Sequence, residues 1–441
     1  MIPHRYNQSS MLRRLQTKDV GPAREMDLAL GSRLNVLTGD NGLGKSFVLD
    51  LVWWVLTGRF AGTPALPSGG TPQLTYEGTT NERGTAGYLF AHQAWSWNDV
   101  EGRGPRGSVI YLGAERLAAF VLYRNHFPSA SLDLAVDDAR IHEPSAFVFE
   151  GSELWDGKYD HSGRPLCNGL IRDWVNWMRA RALEGASAAR PTAFELLERI
   201  LDVLSPNDRE KLVAGEPRRV TIGDSREIPT LETPWDSKPV PVTLASAGVR
   251  RILELSYMLV WVWQEHQQIA ELLHQPLQRE LFLLVDEPET HLHPRWQQKI
   301  LPALMAVAEV LDPELNLQLF VTTHSPIALA SVESLVDPAR DRLFHFEDRG
   351  DKVRVETLDW IKHGNALGWL ASEAIGLVGG GRSLDAERAI QWADAFMLGK
   401  HEEIPEAMRS REALDAELRR VLAGDDEYWT YWFVPEGDVA R

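Results

Sequence analysis

A glycine-rich stretch at residues 39–46 constrains the fold of this chain more than any other feature of its sequence. The stretch reads G-D-N-G-L-G-K-S, which fits the pattern G-x-x-x-x-G-K-[ST] of phosphate-binding loops. An apolar run at residues 34–38 precedes it and predicts a buried strand, and residues 47–56 predict a helix. Strand, glycine loop and helix in this order aim backbone N–H groups at a polyphosphate. We therefore expect an α/β domain in which Lys45 reaches the β- and γ-phosphates and the Ser46 hydroxyl coordinates Mg²⁺.

The composition is that of an ordinary globular protein. The chain has 441 residues, of which 44% are hydrophobic and 25% are charged, and this length allows two or three lobes. The first residues are polar, unlike a signal peptide, and no apolar run approaches the roughly 18 residues that a membrane span needs. The single cysteine, Cys167, excludes an internal disulfide and suits a reducing cytosol. We expect a cytoplasmic protein without membrane contact, in which Cys167 is a buried hydrophobic side chain.

The net charge limits the partners of the chain. The formal net charge is −17, and a field of that sign repels nucleic acid, so a DNA contact would need a local basic patch. Two candidate clusters are present: Arg13, Arg14, Lys18 and Arg24 in the N-terminal segment, and Arg103 and Arg106 beside a glycine-rich turn. Such clusters are more often solvated faces than binding surfaces, and direct DNA binding stays open at this point.

Hydrophobic periodicity predicts the remaining elements. Residues 11–30 alternate apolar and polar side chains around Gly21-Pro22, which predicts an antiparallel pair of strands. Residues 64–87 are rich in Gly, Thr, Pro and Ser and predict a mobile surface connection. Other predicted elements are strands at 88–90, 108–112, 281–285 and 317–322, amphipathic helices at 169–183 and 193–204, a long helix at 246–264, a hairpin at 343–358 and a helical, acidic part past residue 365.

An acidic pair, Asp286-Glu287, follows the apolar run at residues 281–285. A carboxylate at the end of a central strand can hold the Mg²⁺ shell beside the phosphate loop, and we assign that role to Asp286. A second carboxylate one residue later can polarise the attacking water, and we assign that role to Glu287. The alternative is a structural acidic turn before Pro288.

Two further stretches follow in the order that a nucleotide hydrolase needs. His324, in T-T-H-S-P after the strand at 317–322, is placed to contact the γ-phosphate and to sense its loss. Ser246 and Gly248 begin the long helix and form a second anion site of small residues at a helix N-terminus. Because the phosphate loop already supplies one such site, we expect the second to serve a nucleotide held by another copy of the chain. The alternatives are a structural histidine and an ordinary Ser N-cap.

The four motifs together resemble those of ABC-type ATPases. G-D-N-G-L-G-K-S resembles Walker A, A-S-A-G-V-R-R the signature, L-F-L-L-V-D-E-P-E-T-H-L-H-P Walker B with the D-loop, and T-T-H-S-P the switch-histidine motif. The wording E-P-E-T-H-L-H-P is similar to the RecF/SMC/OLD branch and not to the transporter branch. Within that branch the chain resembles the AAA-type, PtuA-like ATPases of bacterial anti-phage systems.

The resemblance implies roles for individual residues. Asp286 matches the magnesium aspartate, Glu287 the catalytic glutamate and His324 the switch histidine. Ser246 and Gly248 match the signature residues that touch the γ-phosphate across a dimer, and residues 289–293 match the D-loop. The resemblance implies that Lys45 is also catalytic and that Ser46, Asp286 and Gln93 are ligands of Mg²⁺. The residues that it places against ATP are Gln93 as the Q-loop glutamine and, from Walker A, Gly39, Asn41, Gly42, Gly44, Lys45, Ser46 and Phe47.

The predicted elements and the resemblance together give the expected architecture. The expected fold is α/β, an ABC-type P-loop NTPase head with a mixed sheet, an antiparallel N-terminal β lobe and an inserted helical lobe. Residues 1–114 with Walker A and residues 241–360 with the signature, Walker B and the switch histidine form the head. Residues 115–240 form the inserted, mainly helical lobe, and residues 361–441 form a C-terminal helical segment.

The implied activity is ATP hydrolysis by a homodimer that sandwiches two Mg-ATP, with higher assembly left open. Hydrolysis loosens the sandwich and so controls an effector nuclease, for example of HNH type, from a neighbouring gene. The residues after His324 lack the D-x-D of the Toprim domain of OLD nucleases, so we expect no nuclease activity in this chain. The alternatives are a RecF-like DNA-repair ATPase that binds DNA directly, a transporter subunit, and a scaffold that binds ATP without turnover.

Overall fold

A computed structural model describes residues 10–101, 107–113, 117–121, 146–184, 190–233, 238–350, 352–377 and 381–433. The chain divides into two compact units: the first holds residues up to 369 with 373–375, and the second holds 370–372 and the residues from 376 onward. The strands are β1 (Leu12–Lys18), β2 (Glu25–Ala29), β3 (Leu34–Gly39), β4 (Gln73–Gly78), β5 (Arg83–Leu89), β6 (Ala94–Glu101), β7 (Ser108–Leu112), β8 (Leu117–Phe120), β9 (Ala146–Phe149), β10 (Lys158–Tyr159), β11 (Pro165–Cys167), β12 (Val213–Arg219), β13 (Glu227–Glu232), β14 (Val240–Pro241), β15 (Glu280–Asp286), β16 (Asn316–Thr322), β17 (Asp341–Asp348) and β18 (Val353–Leu358). The helices are α1 (Lys45–Thr57), α2 (Glu153–Asp156), α3 (Leu170–Glu184), α4 (Ala193–Leu204), α5 (Ala247–Leu272), α6 (Pro294–Leu311), α7 (Pro326–Val332), α8 (Ala366–Leu370), α9 (Leu384–Met397), α10 (Arg411–Val421) and α11 (Tyr428–Phe433).

In the described residues, a mixed sheet of eight strands forms the centre of the first unit. Its order is β18-β17-β3-β16-β15-β7-β8-β9, and the strands from β17 to β7 are parallel. β18, β8 and β9 are antiparallel to their neighbours at the two edges. Because parallel strands end at the same edge of a sheet, the ends of β3, β15 and β16 lie side by side. Asp286 at the end of β15 is in register with Thr322 at the end of β16.

Both faces of the central sheet are covered, which explains the uninterrupted apolar sequence of its strands. On β15, Leu281, Leu283 and Val285 belong to one hydrophobic cluster, and Phe282 and Leu284 belong to another. Successive side chains of a strand point to opposite faces, so each face is buried by different elements. Residues of α3, α4, α5 and α6 contribute to the first cluster, and residues of α1 and of a second sheet contribute to the other.

The second sheet is antiparallel, with the order β2-β1-β4-β5-β6. The predicted pair of strands at residues 11–30 is confirmed as β1 and β2, and Gly21 has φ of 75° in the connection between them. Helix α1 packs in the same hydrophobic cluster as this sheet and one face of the central sheet. The antiparallel sheet therefore buries the outer side of the helix that follows the glycine loop.

Two predictions made from the sequence are wrong. Residues 64–87 are not a mobile connection, because β4 and most of β5 lie there and pair with β1 and with each other. Leu74 and Tyr76 of β4 are buried, and the surrounding Gly and Pro concealed this strand pattern. The described part of residues 115–240 is not mainly helical either: β8 and β9 extend the central sheet, and β12, β13 and β14 form a small sheet.

The other predicted elements are confirmed, although their ends differ. Helix α1 ends at Gly58, which has φ of 72°, and α5 continues to Leu272, well past the predicted end. The predicted hairpin is the antiparallel pair of β17 and β18. Confirmed as well are β3, β7, β15, β16, α3 and α4.

The second unit is helical in its described residues, as the sequence predicts. Ala393 of α9 and Leu418 of α10 are buried in one cluster with Trp432 of α11. Two hydrogen bonds of 2.9 Å join the Arg382 guanidinium to the carboxylate of Asp426 and connect the start of this unit to the segment before α11. Across both units, none of the helices in the described ranges is long and apolar enough to cross a membrane.

Candidate nucleotide-binding site

The loop between β3 and α1 needs glycine at three positions. Gly39, Gly42 and Gly44 have φ of 117°, 78° and 102°, a region that favours glycine. A Cβ on Gly39 would lie 2.1 Å from the carbonyl oxygen of Phe346, and one on Gly44 would lie 2.3 Å from Cγ of Pro22. Gly44 is the N-cap of α1 and supplies no side-chain hydrogen bond. The first-turn N–H groups of α1 can therefore bind an anion, as the sequence predicts.

Lys45 is folded back onto this loop. Its Nζ donates to the carbonyl oxygen of Gly39 at 2.9 Å and to that of Asp40 at 2.7 Å. Burial lowers the pKa of Lys45 from its ordinary value, and the nearby carboxylates of Glu287 and Asp286 oppose that shift. Phosphate oxygens would offer this buried ammonium shorter, charge-assisted hydrogen bonds than the carbonyl groups do. The position of Lys45 thus suits a triphosphate in the loop.

Ser46 and Asp286 meet although they are far apart in the sequence. Ser46 Oγ donates to Asp286 Oδ1 at 3.0 Å, and Thr322 Oγ1 donates to the same oxygen at 2.5 Å. Asp286 is buried, whereas Ser46 at the start of α1 is exposed. Hydroxyl and carboxylate oxygens are the ligands that Mg²⁺ prefers, so the donor set of Ser46 and Asp286 fits this ion.

Glu287 stands at the mouth of the site in a left-handed backbone conformation with φ of 47°. Its N–H donates to Thr322 Oγ1 at 2.9 Å, and Thr290 Oγ1 donates to its Oε2 at 3.1 Å. Its Oε1 lies 3.7 Å from Nε2 of His324. The side chains of Glu287 and His324 are 41% and 35% exposed, but Nε2 of His324 is itself buried and has no hydrogen-bond partner among the described residues.

The environment of His324 favours the neutral imidazole. Burial lowers the pKa of His324, the positive charge of Lys45 lowers it further, and Glu287 acts in the opposite direction. A neutral imidazole has one N–H donor and one acceptor nitrogen. At neutral pH, His324 can therefore donate one hydrogen bond to a phosphate oxygen without adding charge.

Three residues around these side chains were not predicted from the sequence. Thr322 holds both Asp286 and the backbone of Glu287, as described above. Thr323 Oγ1 donates to Glu289 Oε1 at 2.7 Å, and the N–H of His324 donates to the same oxygen at 2.8 Å. The threonines and Glu289 are visible in the two motifs, but their partners depend on the pairing of β15 with β16.

The signature residues lie at the start of α5. Ser246 is its N-cap and is exposed, and its hydroxyl accepts a hydrogen bond from the N–H of Val249 at 3.4 Å. Gly248 is buried, and a Cβ there would lie 2.7 Å from the carbonyl oxygen of His291. Gly248 thus allows α5 to approach the D-loop of its own chain, and Ser246 faces outward. The contact of Ser246 with a second copy of the chain therefore stays a prediction.

The remaining predicted ligands have different positions. Asn41 and Gly42 are exposed in the glycine loop. The ring of Phe47 packs against Gly21, so closely that a Cβ added to Gly21 would lie 2.3 Å from the ring. Gln93 lies in the turn between β5 and β6 with φ of 49° and is exposed. In the part of the chain that the structure describes, no hydrogen bond joins Gln93 to the glycine loop, so its assignment as a nucleotide and Mg²⁺ ligand stays a prediction.

One family model and one curated protein match parts of the chain. Residues 177–330 match the family model described as "AAA domain, putative AbiEii toxin, Type IV TA system". The chain is similar to the "Retron Ec83 probable ATPase" of Escherichia coli, with 41% identity over 59 residues. That match covers 13% of this chain and only 10% of the retron protein.

Two solved structures share low similarity with the chain. The structure of an SMC head bound to the C-winged helix domain of ScpA is 15% identical with a TM-score of 0.41, over 79% of this chain and 98% of that chain. A structure of the recombination mediator protein RecF with ATPrS is 13% identical with a TM-score of 0.39, over 81% of this chain and 100% of that chain.

The sequence motifs and the geometry lead to the same assignment. The glycine loop supplies Lys45 and Ser46, and Ser46 meets Asp286 at the ends of parallel strands. The family match over residues 177–330 includes the signature, the acidic pair and His324. The chain thus has an α/β fold with a mixed sheet and an antiparallel β lobe, and its glycine loop, acidic pair and His324 are arranged as a candidate nucleotide-binding site similar to those of ABC-type ATPases.

Proposed function

We propose that this chain hydrolyses ATP as a homodimer in the cytoplasm and that the ATP-gated dimer controls an effector nuclease in anti-phage defence. One observation carries the enzymatic part of the proposal. Ser46 Oγ lies 3.0 Å from Asp286 Oδ1, and Glu287 Oε1 lies 3.7 Å from His324 Nε2. Both pairs are at the edge of the central sheet where β3 ends and the glycine loop begins. These groups are the ones that phosphoryl transfer to water requires.

Each side chain has a separate task in the proposed reaction. Lys45 and the first-turn N–H groups of α1 bind the phosphates, and Ser46 and Asp286 would hold Mg²⁺, which neutralises phosphate charge when bound. Glu287 accepts a proton from the attacking water, whose oxygen bonds to the γ-phosphorus as the bond to the ADP oxygen breaks. The neutral His324 donates a hydrogen bond to a γ-phosphate oxygen and loses that partner when phosphate leaves.

The dimer completes each site in this proposal. Ser246 is exposed at the N-terminus of α5, where a helix favours an anion. Its helix tip would face the nucleotide held in the glycine loop of a second copy. Because that contact is to the γ-phosphate, hydrolysis removes the interaction that favours the closed dimer.

The proposed role in defence rests on the similarity to a probable retron ATPase and on the match to a family whose description names a Type IV TA system. We infer that the effector is a separate nuclease, for example of HNH type, and that this chain itself has no nuclease activity. A regulatory role is favoured over direct DNA binding because the N-terminal basic cluster is largely neutralised, while Arg103 and Arg106 lie outside the described residues. Arg14 lies 2.5 Å from Asp27 and Arg24 lies 3.5 Å from Asp19.

The proposal is tested by substituting the general base. We expect Glu287→Gln to reduce phosphate release by about 10²–10⁴-fold, because the amide cannot accept the proton of the attacking water. ATP binding should remain, since Lys45 and the loop are intact. Phosphate release and equilibrium ATP binding are measured on the same samples, with Glu309→Gln on the exposed face of α6 as a control. Full turnover in Glu287→Gln would remove Glu287 from this role.

A further inference from the structure

A cavity of about 310 Å³ is lined by α3, α5 and residues 165–168. None of its lining residues belongs to the nucleotide-binding site, and Trp261 lies about 22 Å along α5 from Ser246 at the helical rise per residue. The volume is at the lower end of the roughly 300–1,000 Å³ that small-molecule sites span. The cavity is therefore a separate space that a small ligand can enter.

The side chains that line this cavity are mostly polar. The lining residues of α5, at positions 261, 264, 265 and 268, follow the three- and four-residue spacing of one helix face. The ring of Trp177 stacks on Tyr257 with centroids 5.6 Å apart, and Trp261 is 3% exposed, so both indoles are used mainly for packing. The side chains left to contact a ligand are those of Asn168, Asp173, Gln264, Glu265 and Gln268.

Asp173 is a buried carboxylate in the first turn of α3. Its Oδ1 accepts a hydrogen bond from Asn168 Nδ2 at 2.9 Å, and its Oδ2 accepts one from the hydroxyl of Tyr257 at 2.8 Å. Both donors are neutral, although the helix N-terminus also favours a negative charge here. Burial raises the pKa of Asp173 in spite of the two hydrogen bonds. The surroundings of Asp173 therefore do not fully compensate its charge.

Glu265 adds a second carboxylate from the middle of α5. Among the described residues, its carboxylate has neither a hydrogen bond nor an ion pair, and no Lys or Arg lines the cavity. Burial raises the pKa of Glu265, and the negative charge of Asp173 raises it further. Buried carboxylates in proteins are normally paired with a cation. Here two of them share one cavity without a basic side chain of the described chain.

An organic cation fits these groups better than other ligands do. The two carboxylates repel phosphates and other anions. In the part of the chain that the structure describes, no group of three or more His, Cys, Asp and Glu side chains could hold a metal ion. An alkylammonium group has three N–H donors and no acceptor, so it matches carboxylate and amide oxygens. A second ammonium group on the same molecule matches the second carboxylate.

We propose that this cavity binds a small alkylammonium compound with two positive charges, whose N–H groups donate to the carboxylates of Asp173 and Glu265 and to the amide oxygens beside them. The ligand supplies the positive charge that the two carboxylates lack. Charge-assisted hydrogen bonds are roughly twice as strong as neutral ones, so the ammonium is preferred to a neutral ligand of the same length. The inference does not depend on ATP hydrolysis.

The test is isothermal titration calorimetry of the full chain with butane-1,4-diammonium chloride, without nucleotide. At about 0.15 M salt, the general attraction of a cation to the net charge of −17 is screened. We expect one saturable site with Kd below about 1 mM. Butane-1,4-diol, which has the same carbon chain without charge, should give no saturable heat. MgCl₂ at equal concentration should not displace the diammonium.

Glu265→Gln should raise Kd by about tenfold or more, because it removes a charged acceptor. The control is Glu271→Gln, which removes the same charge from an exposed residue of the same helix and should leave Kd unchanged. If Glu265→Gln does not fold, Gln268→Lys replaces it. Gln268 is exposed at the rim of the cavity, and the added ammonium changes the net charge by the same amount and should weaken binding.

Three results would overturn the inference. The first is the absence of saturable heat from the wild-type chain up to about 10 mM diammonium. The second is an equal Kd for the cavity variant and Glu271→Gln, which shows only general attraction to an acidic protein. The third is displacement of the diammonium by MgCl₂ at equal concentration, which shows a site for inorganic cations. Each of these results is independent of whether the chain hydrolyses ATP.

Discussion

Glu287 and His291 both have left-handed backbones, with φ of 47° and 65°. For residues with a side chain this conformation costs of order 1–3 kcal/mol each and persists where the surroundings enforce it. Here the N–H of Glu287 is held by Thr322 and the backbone of His291 lies against Gly248. The strained turn directs the carboxylate of Glu287 toward His324 while the chain continues to α6.

Cys167 shows how burial determines the chemistry of a single side chain. Its Sγ lies 3.0 Å from the hydroxyl oxygen of Tyr257, which donates to Asp173 Oδ2 at 2.8 Å. Burial raises the pKa of the thiol to about 12, and the hydrogen bond with Tyr257 opposes part of that shift. The buried cysteine expected from the sequence is confirmed.

We expect Cys167 to resist thiol reagents in the native protein at pH 8. The reactive species is the thiolate, and a thiol with pKa of about 12 is about 10⁻⁴ ionised at that pH. The labelling rate should rise about tenfold per pH unit, because the thiolate fraction increases until the pH reaches the pKa. Absorbance of a disulfide reagent, with and without urea, measures the reaction. Rapid labelling of the folded chain would contradict the burial of this thiol.

At the scale of elements, Trp54 joins α1 to the antiparallel sheet. Its ring stacks on Trp97 of β6 with centroids 4.6 Å apart and on Phe60 with centroids 5.6 Å apart. Trp54 is 4% exposed and therefore belongs to the core. Trp97 also contacts Tyr76 edge-on at 5.4 Å, so its ring is used for packing.

We expect Trp54→Ala to lower the free energy of unfolding of the first unit by about 3–5 kcal/mol, because a large buried ring leaves a cavity between the helix and the sheet. Leu66→Ala is the control, since Leu66 is 61% exposed and its truncation should change stability by less than about 0.5 kcal/mol. Urea unfolding followed by circular dichroism compares the two. Equal midpoints for both variants would show that α1 does not depend on this contact.

The approximate positions of the main site residues could be predicted from the sequence, because motif order and strand direction are local signals. Parallel strands must end at one edge, so Asp286 and His324 could be placed near the glycine loop without coordinates. The partners of Glu289 could not, because they depend on the register of β15 with β16. β4 was missed for a similar reason: its neighbour β1 lies far away in the sequence, and the Gly and Pro content suggested a loop.

At the scale of the whole molecule, electrostatics opposes association of two copies. Each chain has a formal charge of −17, and like charges repel unless specific contacts compensate. A triphosphate adds further negative charge, so the proposed dimer requires the buried Lys45 and the helix N-termini at α1 and α5 to neutralise it. The proposed dimer depends on ATP because the triphosphate would bridge the positive groups of the two chains, Lys45 and the α1 N-terminus of one and the α5 N-terminus of the other.

The central claim is that each reaction centre combines the glycine loop of one chain with the Ser246 helix tip of another. Lys45→Ala should lose ATP binding, and Ser246→Arg should bind ATP in its own loop but block the contact with the partner. In a mixed dimer, the Ser246→Arg chain supplies an intact loop and the Lys45→Ala chain an intact helix tip. One of the two sites is then complete.

The most direct measurement is phosphate release by the two variants, alone and mixed in equal amounts. We predict that each alone is inactive and that the mixture recovers turnover, up to about a quarter of wild type, because half of the randomly formed dimers are mixed and each has one complete site. A mixture no more active than the sum of its components, although mass measurements show mixed dimers, would contradict the shared reaction centre.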